Sequence, residues 1–323
     1  MGELQPDAIA QSLEAFEQLA ELQQSCNPTL PQMSGKELHW GWTRHAQHEP
    51  RGLWGMYDQG RLIAAASACP QWWRTPAESV VMTLDVHPHW RGRGLGSTLI
   101  RHIEHHYRDS AMRKIATMVA HGEQDDDAFW LRRGFRIQGR FHQSGFDLSK
   151  PLDEVHRLRN KQIHEDGFEI IDGDELRQRF PRVWRRRWWR LWSEAEQDMP
   201  GPEPPNPRPF DVFVQILERP GLDLSLCHFC LHNDEITGFT SLIPYGLSPQ
   251  FAAIWMTGVA RGLRRKGIAT AVKVASLDAA KRRGLSWVIT ENEQTNPTHT
   301  LNVALGFTPR YTRLWMVNNR SAA

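Results

Sequence analysis

The sequence predicts two α/β domains in tandem, each a mixed sheet built around a parallel βαβ crossover. Three observations predict it. A basic glycine turn that follows an apolar strand and opens a helix occurs twice, as HPHWRGRGLGSTLIRHIEHH from His87 to His106 and as GVARGLRRKGIATAVKVASLDAAKRRG from Gly258 to Gly284. Landmarks repeat at a near-constant offset: Leu62 and Ile236, Gly94 and Gly267, Gly134 and Gly306 are 174, 173 and 172 residues apart, which marks a duplication. And 323 residues with 40% apolar content are enough for two separate cores.

The first half reads as a helical start from Pro6 to Gln24, the strands LWGMYD and RLIAAASAC, then VVMTLDV, the glycine turn and a helix. A strand KIATMV, a short helix DDDAFWLRRG and closing strands from Phe135 to Leu148 complete it. The polar stretch from Ser149 to Gly167 separates the halves, giving a first domain over 1–150, a linker over 151–167 and a second domain over 168–323. The second half runs through LSLCHFCL, EITGFTSLI, AAIWMTGV, the turn, a helix, SWVIT, a short helix from Asn296 and GFTPRYTRLWMV. It opens with a strand-like FEIID that has no clear counterpart in the first half. Both central helices carry an apolar stripe, Leu99, Ile103 and Tyr107 in one and Ile268, Val272, Ala275 and Ala279 in the other. Lys281, Arg282 and Arg283 then precede a terminating Gly284.

A formal charge of +2, from 39 basic and 37 acidic residues, leaves no global footprint for nucleic acid or an anionic membrane, and neither is expected as a partner. No apolar run approaches the ~18 residues of a spanning helix, and the acidic start does not resemble a signal peptide, so a cytoplasmic protein is expected. Oligomeric state is left open. Cys227 and Cys230 spell a CxxC, but on a strand they point to opposite faces and no second pair completes a tetrahedral site, so core packing is expected and no metal.

A helix N-terminus presents unpaired N–H groups and about half a positive charge, which attracts phosphate. A Walker loop needs Gly-Lys followed by Ser or Thr, which neither turn has, and a Rossmann fingerprint needs GxGxxG where Gly92, Gly94 and Gly96 give GxGxG. Arg91-x-x-Gly94-x-Gly96 and Arg264-x-x-Gly267-x-Ala269 instead match the Arg/Gln-x-x-Gly-x-Gly/Ala signature of the GNAT superfamily of N-acetyltransferases. The downstream Gly-Phe pairs at WLRRGF (Trp130 to Phe135) and NVALGF (Asn302 to Phe307) resemble that family too. Two such domains in one chain are similar to its tandem members.

The resemblance implies two tandem GNAT acyl-CoA N-acyltransferase folds, whose central parallel strands splay apart around acetyl-CoA. The pyrophosphate would lie on the backbone of Arg91, Gly92, Arg93, Gly94, Leu95, Gly96 and Ser97 in one half, and of Arg264, Arg265, Lys266, Gly267, Ile268, Ala269 and Thr270 in the other. Arginine side chains would supply counter-charge, and strand N–H groups near Val86 and Val259 would hold the carbonyl oxygen. The implied reaction is attack of a small-molecule amine on the thioester. An amine of pKa ~10 is mostly protonated at pH 7, so a base matters. Glu291 is the candidate base in the second half, while Glu78 and Asp85 flank the corresponding strand of the first.

The chain departs from the family at the tyrosine four residues before the Gly of Gly-Phe, which protonates the leaving sulfur. Trp130 and Asn302 occupy those places. Asn302 can still hydrogen-bond, as can Asn292 and Asn296, and Tyr311 is a candidate substitute. Chemistry is therefore expected in the second half, since the first offers Ala128, Phe129 and Trp130 instead. The segment from Arg182 to Phe210 carries Trp184, Trp188, Leu191 and Trp192 on one helical stripe and is expected to wall the acceptor pocket. The missing tyrosines keep open a non-catalytic acyl-CoA scaffold or sensor, and a protein substrate is a further alternative.

Overall fold

Antiparallel ladders and one parallel crossover build each of two units, seen in a computed structural model that describes all but residues 1–3, 45–50, 71–78, 122–125, 153–160, 200–205, 207, 294–295 and 320–323. Glu78 and most of the proline-rich stretch after Met199 lie outside the described residues.

The first unit comprises Met1–Arg140 and Arg313–Ala323. Its strands β1 (Asp7–Ala8), β2 (Gly52–Asp58), β3 (Arg61–Pro70) and β4 (Ser79–Val86) pair antiparallel in that order. Helices α1 (Leu13–Cys26) and α2 (Gly35–Arg44) come between β1 and β2. Ser12 caps α1 by accepting from the Ala15 N–H, so the helix starts at Leu13, seven residues later than the expected Pro6. Asp7–Ala8, ahead of that cap, form β1, the counterpart of FEIID that the sequence conceals. A 3₁₀ turn, Pro88–Trp90, leads from β4 towards α3 (Leu95–His106), and β5 (Lys114–His121) returns parallel to β4. Along β2 and β3, Leu53, Leu62 and Ala65 pack with α1, while Met56, Ile63 and Ala66 pack with Leu99, Ile103 and Tyr107 of α3. Alternation thus puts α1 and α3 on opposite faces. Helix α4 (Asp126–Leu131) and β6 (Arg136–Asp147) follow.

The second unit is Phe141–Thr312. A short helix α5 (residues 161–165) replaces part of the expected linker, and Ile163 on it is buried with Ile268, Ala271 and Val272. Then come β7 (Glu169–Asp172), α6 (Gly173–Arg179), α7 (Trp184–Gln197), α8 (Phe210–Ile216), β8 (His228–His232), β9 (Glu235–Tyr245) and β10 (Ser248–Val259). After the glycine turn follow α9 (Ile268–Arg282), β11 (Trp287–Glu293), α10 (Pro297–Ala304) and β12 (Thr308–Asn319). Strands β7 to β10 pair antiparallel in order, and β11 is parallel to β10.

The units divide differently from the contiguous halves expected on either side of residue 150. Strand β6, which closes the first half in sequence, pairs antiparallel with β11 over Phe141–Asp147, placing Phe146 in the second core. Strand β12, which closes the second half, neighbours β5 and places Leu314 and Met316 in the first core. The closing strands are exchanged.

The CxxC begins before its strand. Leu224–Leu226 is a 3₁₀ turn, and Cys227 and Cys230 are free thiols buried in different clusters, on opposite sides of the sheet. Burial pushes them up to about 12 and about 11, so both stay protonated.

Candidate active site

In each unit the parallel pair separates before it ends. Pairing runs from Ser79–Lys114 to Met82–Thr117 in the first unit and from Phe251–Trp287 to Ala253–Ile289 in the second, while all four strands continue beyond. A gap therefore opens between Thr83–Val86 and Met118–His121, and again between Ile254–Val259 and Thr290–Glu293.

The ends of β4 and β10 point one N–H into that gap. The His87 N–H donates to Ile63 O on β3, and the Ala260 N–H to Thr237 O on β9, both at 2.9 Å. Successive N–H groups alternate along a strand, so those of Val86 and Val259 point to the opposite edge. Their carbonyls are met by Arg91 Nε at 3.2 Å and Arg264 Nε at 3.1 Å. These two arginines fold back on the strand ends through Nε. Arg93, Arg265 and Lys266 remain exposed on the turns, Arg93 lying over the Trp90 ring at 4.6 Å.

The turns themselves are alike. Gly94 (φ 86°) and Gly267 (φ 88°) are left-handed N-caps of α3 and α9, and neither brings a side chain to the helix start. The first-turn N–H groups of Leu95, Gly96 and Ser97, and of Ile268, Ala269 and Thr270, thus face an exposed concave turn that suits a phosphate. Gly92 (φ 77°) corresponds to Arg265 (φ 67°), so the second turn holds an arginine in a conformation that favours glycine.

The chain matches the Acetyltransferase (GNAT) family model twice, over residues 16–135 and 185–307. It belongs to the GNAT acetyltransferase family. Over the whole chain it is similar in fold to a tandem GNAT protein from the clavulanic acid biosynthesis pathway (TM-score 0.72, 19% identity, 99% of each chain covered). A GCN5-related N-acetyltransferase from Sphaerobacter thermophilus is comparable (TM-score 0.69, 17% identity, 98% of this chain and 97% of that one). Among curated proteins, a tRNA(Met) cytidine acetyltransferase of Aeropyrum pernix is 35% identical over 82 residues, 23% of this chain and 11% of that protein. The match spans about a tenth of that relative's length. The protein thus carries two GNAT domains, and no helix among the described residues is long and apolar enough to cross a membrane.

The two GNAT gaps differ in what borders them. In the first unit, a Cβ on Gly96 would lie 3.2 Å from the Phe129 ring and 3.5 Å from Leu84, so Phe129 stands between β4 and the start of α3. Arg133 lies 3.6 Å over that ring and bonds both Phe129 O and Ser97 Oγ. Trp130 is buried against Phe135. Asp85 faces α1, where Gln23 Nε2 donates to it at 3.3 Å; desolvation lifts its carboxyl to about 6, with Gln23 and Arg91 opposing the shift.

In the second unit, Asn302 is fully buried and its Nδ2 donates to Asn292 Oδ1 at 2.7 Å, on the freed stretch of β11. Asn296 is not part of that pair: its side chain caps α10 by accepting from the Thr298 N–H. Glu291 alternates onto the opposite face of β11, beside Gln143 of β6, and Tyr311 is half-buried on β12. The tryptophan stripe of α7 packs with Phe213, Phe229 and Phe239. At its C-terminal end, Glu194 accepts the Arg261 N–H at 2.7 Å and Asp198 bonds Arg261 and Arg264, which hold its carboxyl below the usual range. That clamp on the phosphate turn was missed in the sequence, as were His142, Ser144 and His299, which surround the asparagine pair.

Proposed function

We propose that this GNAT protein transfers an acetyl group from acetyl-CoA to a small-molecule amine, with the chemistry in the second unit and acyl-CoA binding in the first mainly structural. The observation that carries it is the contrast between the gaps. Charge develops on oxygen and sulfur as the thioester is attacked, and the second gap offers the Val259 N–H and the Asn292–Asn302 amides to meet it. The first is bordered by Phe129 and Trp130. Glu291 is the candidate base for the incoming ammonium, whereas the α7 tryptophans, expected to wall the acceptor pocket, are buried in the core with Phe213, Phe229 and Phe239.

Substrate acetyl-CoA would lay its pyrophosphate on the first turns of α3 and α9. A glutamate at Gly94 or Gly267 combines a left-handed backbone with a misplaced negative charge, so each of Gly94→Glu and Gly267→Glu should remove one of two calorimetric binding sites. Gly267→Glu should also lower amine acetylation by at least ~100-fold. Loss of turnover in Gly94→Glu alone would place the chemistry in the other half. Binding at both sites with no turnover over a broad amine panel would favour a scaffold or sensor, the reading that the missing tyrosines support.

A further inference from the structure

We infer that His299, backed by His142, is the proton source for the leaving sulfur in the second unit, acting through a water held by Ser144 and Asn302; this rests on the second unit being the catalytic one. Three buried polar atoms there have no partner: Ser144 Oγ on β6, and His299 Nδ1 and Asn302 Oδ1 on α10. They converge on one face. Across the β6–β11 ladder Ser144 stands opposite Thr290 and His142 opposite Asn292, and alternation points all four towards the α10 side, where Phe146 meets Phe307. From α10, Asn302 reaches Asn292, and the His299 ring lies 5.7 Å from that of His142, whose Nδ1 is 3.2 Å from Thr312 Oγ1.

A buried polar atom left without a partner loses its hydration with nothing in return, and the equivalent place in the first unit is filled by aromatic rings. Three such atoms together, with Ser144 1% and Asn302 0% exposed, therefore point to a polar guest. Thr290 and Asn292 lie beyond the last β10–β11 pair, so the guest borders the gap. Among the side chains there, histidine is the one that serves as a general acid. As the C–S bond breaks, the sulfur takes a proton from the water, the water takes one from the His299 imidazolium, and the neutral ring is recharged from solvent. The proton released by the amine leaves separately. His142 is the titratable group facing His299. Glu291 and Glu293 of β11 alternate onto the opposite face, where Arg310 of β12 also lies, over Trp287 and Phe251.

The test is an ultraviolet thiolate titration of coenzyme A bound to the full-length protein, with calorimetry reporting occupancy and Gly267→Glu identifying the second site's signal. In wild type the bound thiol should ionise below free coenzyme A titrated alongside it, and His299→Gln should raise that midpoint by about one pH unit. His299→Gln should also lower kcat by ~100-fold with little change in the KM for acetyl-CoA. An unshifted midpoint in His299→Gln with coenzyme A still bound overturns the inference. If His299→Gln fails to fold, His142→Gln is read in its place, and an unshifted midpoint there overturns it equally. Wild type that binds no coenzyme A overturns the transferase reading itself, a result that calorimetry separates from the other two.

Discussion

Lys273 occupies the position on α9 that Ile100 holds on α3, and its ammonium is buried without a partner. Desolvation pushes it down to about 7. An unfolded chain, titrating near 10.5, binds more protons than the folded one between about pH 7 and 10.5, so this group makes stability rise with pH across that window. Lys273→Ile, which copies the first half, should stabilise the protein by ~2 kcal/mol at pH 7 and flatten the slope of stability up to pH 10, as measured by denaturant titration at several pH values. An unchanged slope would mean that Lys273 finds a partner in solution. Of the stripe read from spacing, Ile268, Val272 and Ala279 are buried and Ala275 is half-buried, while a lysine beside it reads as a solvated flank. Its burial arises because β8 and β9 cover a wider arc of α9 than the stripe marks.

At the scale of elements, α7 was legible because its tryptophans recur at helical spacing and all meet one apolar sheet face. How closely it approaches that face was not. A Cβ at Gly258 on β10 would lie 2.7 Å from Phe239 Cε1 and 2.8 Å from Ala195 Cβ of α7, so helix and strand meet almost backbone to backbone. Gly258→Ala should cost about 1–3 kcal/mol by overpacking, seen as a lower Tm of the second unit. It should also weaken coenzyme A binding there, because α7 carries the Asp198 clamp on Arg261 and Arg264. A variant as stable as wild type would show that α7 slides freely. The glycine turns and the helix starts after them were legible to the residue because glycine at positive φ and helix-start spacing are local signals. The cluster at His142 was not, because strand β6 enters the second unit from a distant part of the chain.

For the whole molecule, the duplication was visible in constant offsets, yet offsets say nothing about which copy of a closing strand joins which sheet. Both closing segments carry apolar residues, Phe146 in β6 and Leu314 and Met316 in β12, and only the folded chain discloses the exchange. Truncation after Thr312 removes Leu314 and Met316, both fully buried in the first core, at about 1.5–3 kcal/mol each. Differential scanning calorimetry should then show the first unit melting earlier while the second still binds coenzyme A; coincident melting would deny the assignment of these residues to the first unit. The exchange also sets a timetable for synthesis. The edge strand β5 of the first unit emerges from the ribosome long before the segment from Arg313 that completes it. At ~5–20 residues per second, the roughly 190 residues between His121 and Arg313 keep that edge waiting for about ten to forty seconds, a period in which its unpaired backbone is open to pairing with other chains.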